Sequence, residues 1–172
     1  PQYVDFTLGF TSVIGTAKTP LMSPAALGQY DEHGIFPFHA MQHEGRILAY
    51  TSGWSRRKSV PVDMAIGLCE SFDGGETFMR HGGGGPVMAA TLQEPYMIAD
   101  GFVRFYEGSF HMWYIYGTAW KHYEGSTEPE RIYKIAHATS HDGCSWTRDA
   151  RAIIPDVMEG ECQALPSVIY HE

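Results

Sequence analysis

Acidic residues recur along this 172-residue chain at places where a fold could gather them. Asp31 and Glu32 stand together with His33 beside them, Asp100 follows Glu94 by six residues, and Glu161 is followed at once by Cys162. Carboxyls brought to one place from separate segments perturb each other's pKa, so one keeps its proton while another stays ionised. Cleavage of a glycosidic bond asks for that pair: an acid for the leaving oxygen, and a base or nucleophile on the other face. The two carboxyls stand about 5–5.5 Å apart for retention and about 6.5–9.5 Å apart for inversion. An acid just ahead of a strand also has a plainer reading, as a solvated loop residue or a turn cap.

Other side chains could hold a sugar. His33 could orient a carboxylate or donate to a hydroxyl, or be an ordinary surface histidine. Trp54 and Trp120 could stack on a pyranose face or fill the packing between sheets. Arg56 and Arg57 follow Trp54 closely and could clamp a carboxylate or phosphate, or form an exposed loop pair. The sequence contains no His-Glu-x-x-His zinc motif, and no Lys-Ser/Thr follows Gly82-Gly83-Gly84-Gly85-Pro86. No metal or other cofactor is expected, and the glycine run reads as a flexible connection.

Composition narrows the partners. Twelve basic against 20 acidic residues give a net charge of −8. That charge opposes nucleic acid and anionic membrane, both of which call for a basic field. No apolar run is long enough for a membrane-spanning helix. Three cysteines without a CxxC pair indicate neither a disulfide framework nor a zinc site, and cytoplasmic location is the default. Because the sequence opens Pro-Gln-Tyr-Val without a Met, export stays open.

The elements that must position these residues are strands. Ten Tyr, nine Phe, four Trp and 19 Gly favour them, and apolar residues alternate in short runs. Phe36–Gln42 and Arg46–Thr51 flank Glu44-Gly45, as Phe102–Tyr106 and Phe110–Tyr116 flank Glu107-Gly108, and each pair predicts a hairpin. A second hairpin follows each, with Asp-Gly at its tip: Ile66–Phe78 matches Ile135–Trp146 after deletion of one residue. Four-stranded units repeating in this way are the mark of an all-β propeller, each sheet burying its face on the next.

The whole chain, 1–172, thus reads as one partial propeller domain. Residues 1–30 would end a preceding blade, with Tyr3–Leu8 as a late strand. Residues 31–90 and 91–158 would be whole blades, and 159–172 would open another with Gln163–Tyr170. Two whole blades do not close a ring and leave apolar faces and a free edge. Were the chain complete, a homodimer or higher assembly pairing its terminal strands would be expected.

Several segments resemble the five-bladed β-propeller glycoside hydrolases, the β-fructosidase and arabinanase superfamily, and most nearly the glycosylase-like proteins of bacterial polysaccharide gene clusters. They are Asp31–Pro37, Thr51–Arg57, Glu94-Pro95-Tyr96, His111–Gly117 and Glu161–Pro166. The resemblance implies a carbohydrate ligand and a ring of roughly twice this length. It implies that Glu161, in the Glu-Cys pair, is the general acid/base. Asp31 or Glu32 would be the second carboxylate and Glu94 or Asp100 the third. The superfamily's Asp-Pro dipeptide stands here as Glu94-Pro95. A non-catalytic, carbohydrate-binding or self-assembling relic of the same fold is the alternative.

Overall fold

The computed structural model describes residues 1–171, so Glu172, the end of the expected last segment, lies outside the described residues. In chain order the strands are β1 (Val4–Phe6), β2 (Val13–Thr16), β3 (Gly34–His43), β4 (Arg46–Arg56) and β5 (Val62–Ser71). They continue with β6 (Met79–Arg80), β7 (Ile98–Tyr106), β8 (Ser109–Lys121), β9 (Glu130–Ser140) and β10 (Thr147–Arg148). No helix occurs among the described residues, so none is long and apolar enough to cross a membrane. Two antiparallel four-stranded sheets result, β3-β4-β5-β6 and β7-β8-β9-β10, and they do not close into a ring. This is the all-β, incomplete-propeller architecture that the repeat predicts.

Turn chemistry sets the register. Glu44 and Gly45 have φ of 48° and 76°, and Glu107 and Gly108 have 48° and 77°. Positive φ at both central residues is what a tight two-residue hairpin loop needs to match the strand twist. At the second tip of each blade an aspartate organises the loop. Asp73 Oδ1 accepts from Ser71 Oγ (2.8 Å) and Thr77 N (3.0 Å). Asp142 Oδ1 does the same with Ser140 Oγ (2.9 Å) and Ser145 N (2.7 Å). These bonds favour the charged carboxylates and hold both well below the usual range, led by the Thr77 hydroxyl at Asp73 and the Ser145 amide at Asp142. A folded pKa below the unfolded one stabilises the fold above the unfolded value of about 4, and that stabilisation is lost as pH falls through the folded value. The melting temperature is therefore expected to drop steadily from about pH 4 downward. Asp142→Asn should flatten that slope in scanning calorimetry.

The two sheets stack face to face. Leu48, Tyr50, Ile66 and Leu68 of the first blade meet Val103, Phe110, Met112 and Tyr114 of the second, all buried. Each such side chain contributes about 1.5–3 kcal/mol by leaving water. Polar ties cross the same seam: Tyr50 Oη donates to Gly143 O (3.0 Å), and the amide of Asp100 donates to Ser52 Oγ (2.8 Å). The glycine-rich stretch 82–85 leads to Val87 and Met88, whose amides both bond Ile66 O on β5, so the connection returns to its own blade before reaching β7.

The N-terminal segment packs on the first sheet, and the C-terminal segment follows an edge of the second. Met22 packs with Ala49, Cys69 and Phe38 on the free side of the first sheet, while β1 pairs with β2 as a separate ribbon. Beyond β10, along the outer edge of β9, Ile153 N bonds Ile135 O and Gln163 N bonds Tyr133 O. Residues 163–170, read from the sequence as an opening strand, join no ladder among the described residues.

Candidate functional site

Asp31 and Glu94 hold equivalent places, four residues before Ile35 and Ile98, which pair with Gly53 and Tyr116. Both are fully buried. Asp31 Oδ2 accepts from Arg80 Nε (2.9 Å) and Nη2 (2.6 Å), and Nη2 also bonds Ser23 O (2.8 Å). Glu94 Oε1 accepts from the Tyr114 hydroxyl (2.6 Å) and Oε2 from Arg148 Nη1 (2.6 Å), whose Nη2 bonds Ala89 O (2.7 Å). Arg80 and Arg148 each end the short fourth strand of their blade. A buried acid at the entry to the innermost strand is therefore clasped by an arginine from the outermost one. A buried charge requires such a partner, so both carboxylates are engaged inside their blades and turned away from solvent.

The space around each clasp is filled in opposite ways. In the first blade the ring of Tyr30 lies over β4 and β5. A Cβ on Gly53 would fall 2.4 Å from Tyr30 Cε2, and one on Gly67 would fall 1.7 Å from its hydroxyl. Burial pushes that phenol up to about 12. In the second blade the residue at the place of Thr51 is Tyr114, opposite Ala136, and Gln93, at the place of Tyr30, is exposed. Burial, followed by the Glu94 hydrogen bond, raises the Tyr114 phenol.

Four of the expected residues do meet at the entry end of the first blade. Glu32, Arg56 and Arg57 line a cleft of about 440 Å³ together with Tyr30 and Asp63. His33 Nδ1 lies 3.4 Å from Glu32 Oε1 and accepts from Arg56 N at 3.4 Å. Glu32 Oε2 takes the amide of Gly28 (2.7 Å). Arg57 is ion-paired with Asp63, and the pair also borders a second cleft of about 490 Å³, lined by Lys58, Tyr96 and Trp120. Trp54 is half-buried, and its indole rests on the backbone of Gly34, where a Cβ would approach within 2.2 Å. One side of that ring is thus spent on packing.

Asp100 and Glu161 lie apart from these clefts. Asp100 sits in the β7 bulge between Ala99 and Phe102 with φ of 54°, an uncommon conformation for a residue with a side chain. It is half-buried, and Leu165 N donates to its Oδ2 (3.3 Å). Burial raises its pKa, while the Leu165 amide and the charge of Arg131 oppose the shift. Glu161 is satisfied locally: Oε1 by Gln163 Nε2 (2.9 Å), Oε2 by the amides of Val157 (2.9 Å) and Met158 (3.3 Å). Those bonds, led by Gln163, hold Glu161 below the usual carboxylate range, the opposite direction from that wanted in a general acid. Among the described residues no two of Asp31, Glu32, Glu94, Asp100 and Glu161 share a hydrogen-bond partner.

Sequence reasoning missed Arg80, Arg148 and Tyr114. A signal existed for the arginines, since Met79-Arg80 and Thr147-Arg148 occupy matching places after the Asp-Gly tips. For Tyr114 there was none, because the equivalent residue is Thr51.

Known proteins share this architecture. No family model matches the chain. Two uncharacterized proteins of Mycobacterium tuberculosis, from strains CDC 1551 / Oshkosh and ATCC 25618 / H37Rv, are each 28% identical over 151 residues, 88% of this chain and 48% of theirs. The chain thus spans about half the length of the curated relatives it matches. A solved structure from the GH130 family of mannoside phosphorylases, which contains glycoside hydrolases that target β-1,2 mannosidic linkages in Candida mannan, superimposes with a TM-score of 0.60. It is 19% identical, and the match covers 85% of this chain and 40% of that one. A glycosyl hydrolase from Bacteroides ovatus gives a TM-score of 0.54 at 20% identity, over 69% of this chain and 32% of that one. The chain has the blade fold of the glycoside-hydrolase-like propellers. At these identities the likeness is one of fold.

Proposed function

We propose that this chain supplies two blades of a propeller that acts on a glycan, with Asp100 as the carboxyl that carries the proton. The supporting observation is the environment of Asp100. Of the five candidate acids it alone combines a raised pKa, a strained backbone and a place on the innermost strand of its blade. Strain and bulges in inner strands gather at functional sites. A carboxyl protonated to higher pH than usual suits a general acid. Glu32, His33, Arg56 and Trp120, at clefts apart from Asp100, would hold more distant units of the same glycan. Against a panel of aryl-glycosides, Asp100→Asn is expected to lose at least about a hundredfold in turnover while keeping glycan binding. Wild-type activity should fall as pH rises past the Asp100 titration, because the proton to be donated is then gone. Equal turnover by Asp100→Asn and wild type refutes the assignment.

The second reading is carbohydrate binding without chemistry. The clasped Asp31 and Glu94 favour it, since both are buried and engaged inside their blades, and so does Glu161, whose hydrogen bonds lower its pKa. Calorimetric binding of an oligosaccharide, with no turnover by either protein, would select it.

A further inference from the structure

The seam between the blades gathers a second set of reactive groups, remote in sequence from the clefts. His81 directly follows β6, and Cys144 lies in the β9–β10 connection. Cys144 Sγ is 3.5 Å from His81 Nε2. The other ring nitrogen, Nδ1, is 2.8 Å from Glu70 Oε2, and Glu70 Oε1 is held by Arg46 Nη1 at 2.5 Å. Thiol, imidazole and carboxylate thus stand in line, the order in which base-assisted nucleophiles are built. Cys144 is partly exposed and the His81 side chain is 40% exposed, so a small reagent can reach both. The other two cysteines lack this setting: Cys69 is buried, and Cys162 is exposed with its Sγ near Arg131 O.

We propose that Cys144 is a nucleophilic thiol assisted by His81, with Glu70 orienting the ring, and that it is a modification site for neutral, soft carbon electrophiles. The sulfur attacks the carbon, the S–C bond forms, and the carbon–leaving-group bond breaks with its electron pair on the leaving anion. The thiol proton passes to His81 Nε2, and the resulting imidazolium is stabilised through Nδ1–H by Glu70. The groups facing the thiol are His81, Glu70 and Arg46 of the first blade, the Tyr50 phenol of β4, and Asp142 of its own tip. Burial first, then the charges of Asp142 and Glu70, hold the thiol above its ordinary value, against Arg46. The resting group is therefore the protonated thiol, and reactivity comes from transfer to the base during attack. The same two carboxylates repel anionic reagents.

The test is alkylation of the native full chain by iodoacetamide, following each cysteine by peptide mass spectrometry. Cys144 is expected to react at least about tenfold faster than Cys162, although Cys162 is the more exposed. Iodoacetate should narrow that ratio. In His81→Gln the Cys144 rate should fall at least about tenfold and depend more steeply on pH than in the wild type. The proposal is overturned if Cys144 reacts no faster than Cys162 in the wild-type protein, a comparison that requires no variant. It is equally overturned if His81→Gln leaves the Cys144 rate and its pH profile unaltered.

Discussion

Arg148→Met is expected to destabilise the fold by about 3–5 kcal/mol, which lowers the melting temperature by roughly 10 °C at this chain length. The reason lies in what remains behind. Glu94 is fully buried and has two strong partners, Tyr114 on one oxygen and Arg148 on the other. Without the guanidinium its charge is left uncompensated in the blade, and Ala89 O loses its donor as well. Adding Glu94→Gln should recover part of the loss, because a neutral amide replaces the stranded carboxylate. Arg80→Met should cost less: the Arg80 side chain is more exposed than that of Arg148, and Asp31 Oδ1 already lacks a partner among the described residues. Urea titration of the three variants beside the wild type checks the ranking. A loss under about 1 kcal/mol in Arg148→Met would place the pair among the weak surface bridges instead.

Gly67→Ala is the second large effect expected, about 3 kcal/mol or more. A methyl group at Gly67 would lie 1.7 Å from the Tyr30 hydroxyl and 2.8 Å from Cζ, and Gly53 closes off the ring from the adjacent strand. The ring cannot slide within the blade, so it must leave, and the cost combines overpacking with lost burial of an aromatic side chain. Tyr30→Phe should soften the effect by removing the atom in closest conflict. Because Tyr30 also lines the cleft holding Glu32 and Arg56, Gly67→Ala is expected to weaken sugar binding there as well. Ala136→Gly at the equivalent place in the second blade should change stability by no more than the ordinary glycine cost of about 0.5–1 kcal/mol. Thermal melts of the two variants separate the cases.

The repeat was legible because it is written in turn chemistry. Glu44-Gly45 and Glu107-Gly108, followed by the Asp73 and Asp142 tips, demand the same four-stranded leaf twice, and the sheets follow. The use of the acids was not legible. Asp31 and Glu94 look alike in sequence whether they face solvent or an arginine, and their partners lie 49 and 54 residues away. Glu161 is the converse case: its partners are its own neighbours, Gln163, Val157 and Met158, which lower its pKa. The setting of Asp100, one of the expected acids, depends on Ser52 and Leu165, which no local pattern connects to it.

The exchange of Tyr30 in one repeat for Tyr114 in the other limits how these modules can be recombined. Grafting the segment 28–33 onto its counterpart at 91–96 would force two phenols into one hole, and the reverse graft would leave the hole without any. Either hybrid should be less stable than the intact chain. Each leaf is therefore best transplanted or redesigned as an entire unit, and any chimera should keep its crossover points in the connections between sheets.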